Sequence, residues 1–189
     1  MIQERLKELR TQMQERGIDI YIVPTSDFHQ SEYVGEYFKA RKYMTGFTGS
    51  AGTAVITKEE AGLWTDGRYF IQAEKQLEGS TVKLFKMGEE GVPKVEEYVK
   101  DHLTEGSCIG FDGRVMDAKS GEKYAKMAEE KKAALYVKED LVGNIWKDRP
   151  QLPANKVWIL EDAYAGRSMA DKIADVRIQM QKEGADIHI

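Results

Sequence analysis

Two short polar clusters hold most of the residues that could do chemistry in this chain of 189 residues. The first cluster, Thr25–Tyr33, places the imidazole of His29 between the carboxyl groups of Asp27 and Glu32. Apolar alternation over residues 18–23 predicts a strand just before it, and open α/β sheets bind ligands at that end of a strand. A purely structural role for the cluster is the alternative. The candidates for a substrate cleft or an interface are Asp27, His29, Gln30, Glu32 and Tyr33.

The second cluster is Trp64–Tyr69. The pattern predicts a helix over Arg68–Leu77 with Asp66 as its N-terminal cap. Arg68 would then lie in the first turn, where its positive charge opposes the helix dipole, so we expect it to have a specific carboxylate or carbonyl partner. Arg68 is therefore a sixth candidate for the cleft or interface. The simpler interpretation, in which both residues only stabilise the fold, is favoured for this cluster.

A glycine-rich segment, Gly46–Gly52, precedes a predicted strand over residues 53–57. Phosphate-binding loops have the opposite order, because they follow a strand and open a helix whose amides face the anion. The segment also lacks Gly-Lys-Ser/Thr, and Thr48 occupies the place where a nucleophile elbow needs glycine. We expect these glycines to let the backbone bend and pack closely.

No metal site is expected in this chain. The three histidines, His29, His102 and His188, are widely separated, and no HExxH motif is present. His29 and Glu32 could share one helical turn, but two ligands do not complete a site. Cys108 is the only cysteine, which excludes a disulfide framework and a CxxC zinc motif.

Composition narrows the possible partners. The formal net charge is −4 and the lysines and arginines are dispersed, so no basic stripe for nucleic acid is expected. No apolar run is long enough to span a bilayer, and we expect no membrane partner. The N-terminus enters a charged helix without an apolar signal segment. We therefore expect a cytoplasmic protein.

The elements that must position these clusters alternate between helix and strand. Residues 53–57 and 61–65 predict a hairpin whose turn is Lys58–Glu60. The predicted fold class is α/β, with a mixed sheet flanked by helices on both faces. The other predicted elements are helices at about 2–16, 92–103, 117–132 and 140–147 and strands at about 82–86, 108–111 and 135–137.

Residues 5–22 and 172–189 are two versions of one segment, in register. Each predicts an amphipathic helix, a glycine that ends the helix, and a strand, which is 185–189 in the second copy. Chance similarity is the alternative, but a shared offset across all three parts favours duplication. We therefore expect domain I at residues 1–155, a linker at 156–166, and the opening helix and strand of a related, truncated second domain at 167–189. The apolar positions Ile2, Leu6, Leu9 and Met13 correspond to Met169, Ile173, Val176 and Met180.

The clusters, in this order, resemble the N-terminal domain of three-domain Xaa-Pro aminopeptidases (aminopeptidase P), of the creatinase/prolidase N-terminal type. The resemblance spans essentially the whole chain, and it also accounts for the duplication, since the family has two related non-catalytic domains before its catalytic domain. The matching runs are Pro24–Tyr33, Gly46–Ala54, Trp64–Tyr69, Leu141–Pro150 and Tyr164–Ser168.

The resemblance implies an enzyme that releases the N-terminal residue from peptides with proline second. Its two divalent metal ions, usually manganese, lie in a C-terminal catalytic domain and are bound by two aspartates, a histidine and two glutamates. None of those positions lies in this chain, so the chain alone is expected to be inactive. The resemblance further implies a homodimer, with the first domain serving subunit association and walling the substrate cleft around Asp27–Tyr33. A stand-alone ligand-binding or assembly domain, or a prolidase or creatinase relative, are the alternatives.

Overall fold

The structure of the protein, a computed structural model, describes residues 2–189. No helix within those residues is both long and apolar enough to cross a membrane. The strands are β1 Ile20–Pro24, β2 Thr53–Thr57, β3 Ala61–Thr65, β4 Lys83–Lys86, β5 Cys108–Phe111 and β6 Ala134–Tyr136. The helices are α1 Ile2–Glu15, α2 Ala40–Thr45, α3 Phe70–Leu77, α4 Val95–His102, α5 Ala118–Glu130, α6 Leu141–Ile145, α7 Asp162–Ala165 and α8 Met169–Glu183, and Glu36–Phe38 is a short 3-10 helix.

The six strands form one mixed sheet in the order β4-β3-β2-β1-β5-β6. Strand β2 pairs antiparallel with both β1 and β3, whereas the other three pairings are parallel. The predicted hairpin is confirmed, since β2 and β3 are joined by a turn in which the Thr57 amide donates to the Glu60 carbonyl at 2.9 Å. Strand β2 alone therefore runs against the direction of the other five.

The core lies on both faces of the sheet. Strand β1 directs Tyr21 and Val23 to one face and Ile20 and Ile22 to the other, and all four side chains are buried. Helices α1, α2, α3 and α6 cover the first face, and α4 and α5 cover the second. A strand apolar on both sides must be covered on both sides, which explains its central position. The predicted α/β class with helices on both faces is confirmed.

The described chain forms two compact units, residues 2–152 and Pro153–Ile189. In the first unit, α1 ends at Gly17, whose φ of 65° is left-handed. The Gly17 amide donates to the Gln14 carbonyl at 3.2 Å and the Ile18 amide to Met13 at 2.9 Å. This pair of bonds is a Schellman cap.

The second unit repeats the same cap at the end of α8. Gly184 also has a φ of 65°, and its amide donates to Gln181 at 3.3 Å. The Ala185 amide donates to Met180 at 2.9 Å, which completes the same pair of bonds. The helix begins after Ser168, whose hydroxyl accepts a bond from the Asp171 amide and so caps the first turn. The sequence duplication is therefore also a duplication of local structure.

The predicted strand over residues 185–189 does not form. Residues 153–189 contain no strand at all, so the backbone there has no neighbour with which to make a ladder. A strand is stable only when its amide and carbonyl groups are paired. The predicted strand would belong to the sheet of a second domain and stays a prediction, because alternation of apolar residues specifies which face is buried and supplies no partner.

Gly62 in β3 lies against the stacked rings of Trp64 and Phe85, whose centroids are 4.0 Å apart. A Cβ atom at this position would be 2.6 Å from an atom of each ring. We predict that Gly62→Ala lowers the free energy of unfolding by about 1–3 kcal/mol, because buried rings cannot move aside without strain. Urea unfolding measures the change.

Gly121 provides the matched control, because it lies in α5 and a Cβ there would meet no atom within 4 Å. Gly121→Ala should raise the free energy of unfolding by about 0.5–1 kcal/mol, as alanine restricts the unfolded chain and favours helix. Equal unfolding midpoints for the two variants would contradict the assigned packing of Gly62.

Candidate functional site

The polar clusters converge at one edge of the sheet. Because β1 and β3 are parallel and β2 runs the other way, β1 and β3 end where β2 begins, with Pro24 opposite Thr53. Side-chain bonds tie the segments at this edge together: the Thr25 hydroxyl donates to the Gly52 carbonyl at 2.6 Å, and the Thr65 hydroxyl to the Ala51 carbonyl at 2.8 Å. The first cluster therefore lies at the carboxyl end of β1, as predicted.

Asp27 organises the loop formed by Thr25–Tyr33, called the Asp27 loop below. The residue is only 7% exposed, and its Oδ1 accepts bonds from the amides of His29 at 2.8 Å and Ser31 at 3.0 Å. The bond from the Ser31 amide holds the pKa of the Asp27 carboxyl below its usual range. Its contribution to loop stability is therefore complete above about pH 4 and is lost as the pH falls through the lowered pKa.

The other candidates of this cluster face outward. His29, Gln30 and Glu32 are exposed, and Tyr33 is 79% exposed. Gln30 has a φ of 57°, and its side-chain amide donates to the Val115 carbonyl at 3.3 Å, which ties the loop to the segment after β5. The loop thus presents imidazole, carboxylate and phenol groups to solvent on a backbone built by the Asp27 bonds.

Asp66 does not cap a helix, which corrects the sequence-based prediction. Helix α3 begins at Phe70, with Tyr69 as its N-terminal flanking residue. The Asp66 carboxylate instead accepts the amide of Arg68 at 3.1 Å and, through its two oxygens, the Arg68 guanidinium at 2.8 Å each. Pairing with Asp66 raises the pKa of Arg68. The expected carboxylate partner of Arg68 is therefore confirmed, although the pair is exposed and orients the side chain more than it stabilises the fold.

The same Asp-Gly-Arg arrangement recurs after β5, where sequence reasoning missed it. Asp112 accepts the amide of Arg114 at 3.0 Å and its guanidinium at 3.0 and 2.9 Å. The signal was available, because three identical letters follow two predicted strands. The sheet order places β1 and β2 between these two strands, so the two arginines lie at the same edge on opposite sides of the Asp27 loop. Arg114 stacks on Phe28 of that loop, with its guanidinium carbon 5.4 Å from the ring centroid.

Arg41 holds the glycine-rich segment in place. Its buried guanidinium donates to the Phe47 carbonyl at 2.6 Å and to the Gly49 carbonyl, and burial lowers its pKa to about 10. A Cβ at Gly49 would lie 2.3 Å from the Phe47 ring, and one at Gly52 would lie 2.8 Å from the Trp64 carbonyl oxygen. The prediction that these glycines serve close packing is confirmed.

Two cavities flank the Asp27 loop. One of about 220 Å³ lies beside Arg41 and is bordered by Glu32 and Tyr33. The other, of about 480 Å³, extends from Glu32 across the ends of β1 and β2 toward Tyr124 of α5. Glu32 lines both, so it lies on the ridge between them. No group of three or more His, Cys, Asp or Glu side chains within residues 2–189 is arranged to hold a metal ion, so the residues present do not fit a metal centre.

The chain belongs to the family described as Creatinase/Prolidase N-terminal domain. This family matches residues 5–139, and a second match with the same description covers residues 148–189. The predicted resemblance to the N-terminal domain of this family is confirmed.

Similar proteins include curated peptidases and solved structures. Aminopeptidase P2 of Arabidopsis thaliana is 42% identical over 97% of this chain, and a probable Xaa-Pro aminopeptidase P of Pyrenophora teres f. teres is 46% identical over 95%. The chain spans only 26% and 27% of their lengths, respectively.

Among solved structures, the X-prolyl aminopeptidase of Caenorhabditis elegans, described as a cytosolic enzyme with a di-nuclear active site, is 32% identical. It matches 98% of this chain with a TM-score of 0.83, and the match spans 32% of that protein. The N-terminal domain of the cytoplasmic peptidase PepQ of Mycobacterium tuberculosis is 25% identical and matches 76% of this chain with a TM-score of 0.54, spanning 98% of that chain.

The role of Asp27 in building the loop predicts different outcomes for two substitutions. Asp27→Ala should make the amides of His29 and Ser31 exchange with solvent at least about tenfold faster, because both lose a charged acceptor. Asp27→Asn should change exchange much less, since an amide oxygen can still accept these bonds. Hydrogen exchange followed by NMR measures both. Glu32→Gln is the control and should leave the two amides unchanged; equal protection in Asp27→Ala and the parent chain would contradict the assignment.

Proposed function

We propose that this chain is the first, non-catalytic domain of a metal-dependent Xaa-Pro aminopeptidase, joined to the start of a second domain. The whole enzyme would release the N-terminal residue from peptides with proline second. The observation that carries this proposal is the likeness of nearly the entire chain to two aminopeptidases P and to the C. elegans X-prolyl aminopeptidase, which matches 98% of the chain where PepQ matches 76%. The chemistry of hydrolysis belongs to the parts of those proteins that the match does not span.

The second part of the proposal concerns residues 167–189, which we assign to a domain of the same kind as residues 1–155, with 156–166 as linker. The repeated Schellman cap and the second family match support it. In the first unit the face of α1 is buried at Leu6, Leu9 and Met13. The matching positions of α8, Ile173 and Val176, are 44% and 43% exposed. Such a face is suited to the sheet of a second domain.

The two metal ions that we propose for the whole enzyme, as manganese, belong to its catalytic domain, because the described residues do not fit a metal centre. No step of the reaction is therefore assigned to residues of this chain. We propose a cytoplasmic homodimer, and the cytosolic C. elegans relative supports the location. We propose that domain I contributes to subunit association.

The remaining role that we propose for domain I is to wall the substrate cleft with the carboxyl edge of the sheet. The exposed side chains there are His29, Gln30, Glu32, Tyr33 and Arg68. Glu32 is the carboxylate that we assign to the free ammonium group of a peptide, because it is exposed and borders both cavities. Asp27 supports the loop from beneath, since its carboxylate is already committed to two amides.

A prolidase relative is the strongest competing function. The Xaa-Pro dipeptidase of Bacillus anthracis is 27% identical over 77% of this chain, with a TM-score of 0.54. The aminopeptidase likeness extends through residues 153–189, which supports the three-domain enzyme over the dipeptidase. A stand-alone binding domain would not explain the duplicated helix and cap.

We predict that the 189-residue chain alone neither hydrolyses a tripeptide with proline second nor retains stoichiometric manganese. The same chain within its whole coding sequence should do both. The reason is that the family matches cover only domains described as N-terminal, which we propose to be non-catalytic. Amino-acid release from the tripeptide and metal analysis after gel filtration measure the two properties. Turnover that copurifies with the 189-residue chain through a second column would contradict the assignment, as would a metal-loaded whole protein with no activity on such peptides.

Glu32→Gln in the whole protein should raise KM for tripeptides about five- to tenfold with little change in kcat, because one ground-state charge contact is lost. The control is Glu59→Gln, which removes another exposed carboxylate, from the hairpin turn at the opposite edge of the sheet. Steady-state kinetics at low ionic strength give both constants. Identical kinetics for the two variants would remove Glu32 from the cleft.

A further inference from the structure

The cavity of about 220 Å³ beside Arg41 is bordered by a buried positive charge that has no carboxylate partner among the described residues. Arg41 is 4% exposed, and its guanidinium donates only to neutral oxygens, from Nε to the Thr25 hydroxyl at 2.9 Å and from the two terminal nitrogens to the carbonyls of Phe47 and Gly49. A guanidinium has five N–H donors, so two remain after these bonds. Within residues 2–189 no carboxylate pairs with Arg41. A cation this deeply buried is ordinarily compensated by an anion.

The other charged residues that line this cavity do not cancel the positive charge of Arg41. Lys39 lines the cavity but is paired with Glu36. Lys42 also lines it; its positive charge helps to lower the pKa of Glu36 after that of Lys39, but no carboxylate of the described residues lies within ion-pair distance of it. Glu32 is the only carboxylate of the lining. With Lys39 balanced by Glu36, two cations, Arg41 and Lys42, face one carboxylate, Glu32, and this excess of positive charge makes the cavity attractive to an anion.

The remaining walls of the cavity restrict the kind of anion. Thr48, Gly49 and Ser50 form a polar side along the glycine-rich segment, where the Thr48 hydroxyl accepts from Gln72 and Gln76 and the Ser50 hydroxyl is bonded to that of Tyr69. Tyr33, Val34 and Phe38 form an apolar wall on the side of the Asp27 loop. An anion with an apolar body matches both sides, and the planar fork of a guanidinium matches a carboxylate better than it matches a spherical ion.

We propose that this cavity binds the terminal carboxylate of a short peptide, with Arg41 and Lys42 holding the carboxylate and Tyr33 and Phe38 contacting the last side chain. The choice of a peptide over other apolar carboxylates rests on the proposed peptidase function. The cavity itself, of about 220 Å³, is large enough for one terminal residue and is independent of any catalytic group. Glu32 at its rim would exclude a second anionic group.

Binding to the 189-residue chain tests this without catalysis. The probes are the tripeptide Gly-Pro-Leu, the same peptide with a C-terminal amide, and inorganic phosphate, each titrated by calorimetry at low ionic strength. The free acid should bind, and the amide should bind at least about tenfold more weakly, because it loses the charge-assisted bonds. Acid and amide of equal affinity would overturn the proposal. Phosphate that binds as tightly as the free acid and displaces it would overturn the peptide assignment.

Substitutions of the lining residues test whether the free acid binds in this cavity. Lys42→Gln should weaken binding of the free acid about two- to fivefold, as expected for one exposed charge. Arg41→Lys should weaken it at least about thirtyfold, since a lysine cannot reproduce the fork. Lys126→Gln, on the exposed side of α5, is the control and should bind like the parent chain.

Because Arg41→Lys also removes bonds to the glycine-rich segment, circular dichroism must first show that this variant is folded. If it is not folded, Lys42→Gln decides alone. If Lys42→Gln and Lys126→Gln bind equally, the cavity is not the site.

The outcomes separate this proposal from the peptidase function. Whole protein that cleaves Xaa-Pro peptides, together with equal binding of acid and amide, would overturn only the cavity assignment. Preferential binding of the free acid that Lys42→Gln weakens, in a protein that cleaves no such peptide, would keep the cavity and refute the peptidase.

Discussion

The reversed direction of β2 is the constraint on which the arrangement of this domain depends. Five strands run one way, and only β2 runs the other, held between β1 and β3 by antiparallel ladders. Five carboxyl ends and the start of β2 therefore share one edge. The loop after β1, the glycine-rich segment before β2 and both Asp-Gly-Arg turns meet there, although they are far apart in sequence. Burial of β1 on both faces keeps it in the interior of the sheet, because a strand that is apolar on both sides must be covered on both sides.

Some charged side chains at this edge are hydrogen-bonded to main-chain groups and hold the loops in place. Others form no ion pair and can contact a ligand. Asp27 and Arg41 are buried, and each is bonded to main-chain groups, so the loop and the glycine-rich segment have defined shapes. Each Asp-Gly-Arg turn neutralises its own carboxylate. Glu32 and Lys42 form no ion pair in the described part of the chain, and both border the same cavity. Rigid supports with a few uncommitted charges are what a binding surface requires.

The duplicated segment shows how local and tertiary information differ. Helix, cap residue and cap bonds are the same in both copies, because each depends on about twenty consecutive residues. The strand that follows forms at Ile20–Pro24, where β2 and β5 are available as partners, and it does not form at 185–189. The same alternating pattern is thus necessary for a strand and insufficient for one.

The sequence by itself determined most of the elements, the two-sided sheet, the hairpin, the glycines that end the duplicated helices, and the family, because periodicity and short motifs are read within single segments. The short helices α2 and α7 were not predicted. The sequence also located the Asp27 cluster at a strand end. Tertiary structure alone decided which of its carboxylates is buried in the loop and which is exposed, a choice that depends on backbone conformations such as the φ of 57° at Gln30. It likewise decided that Arg41 lies beside the glycine-rich segment, and that the two Asp-Gly-Arg turns lie at the same edge as the Asp27 loop. Those contacts depend on where the chain returns after a turn or a strand, and the spacing of residues along a sequence does not contain that information.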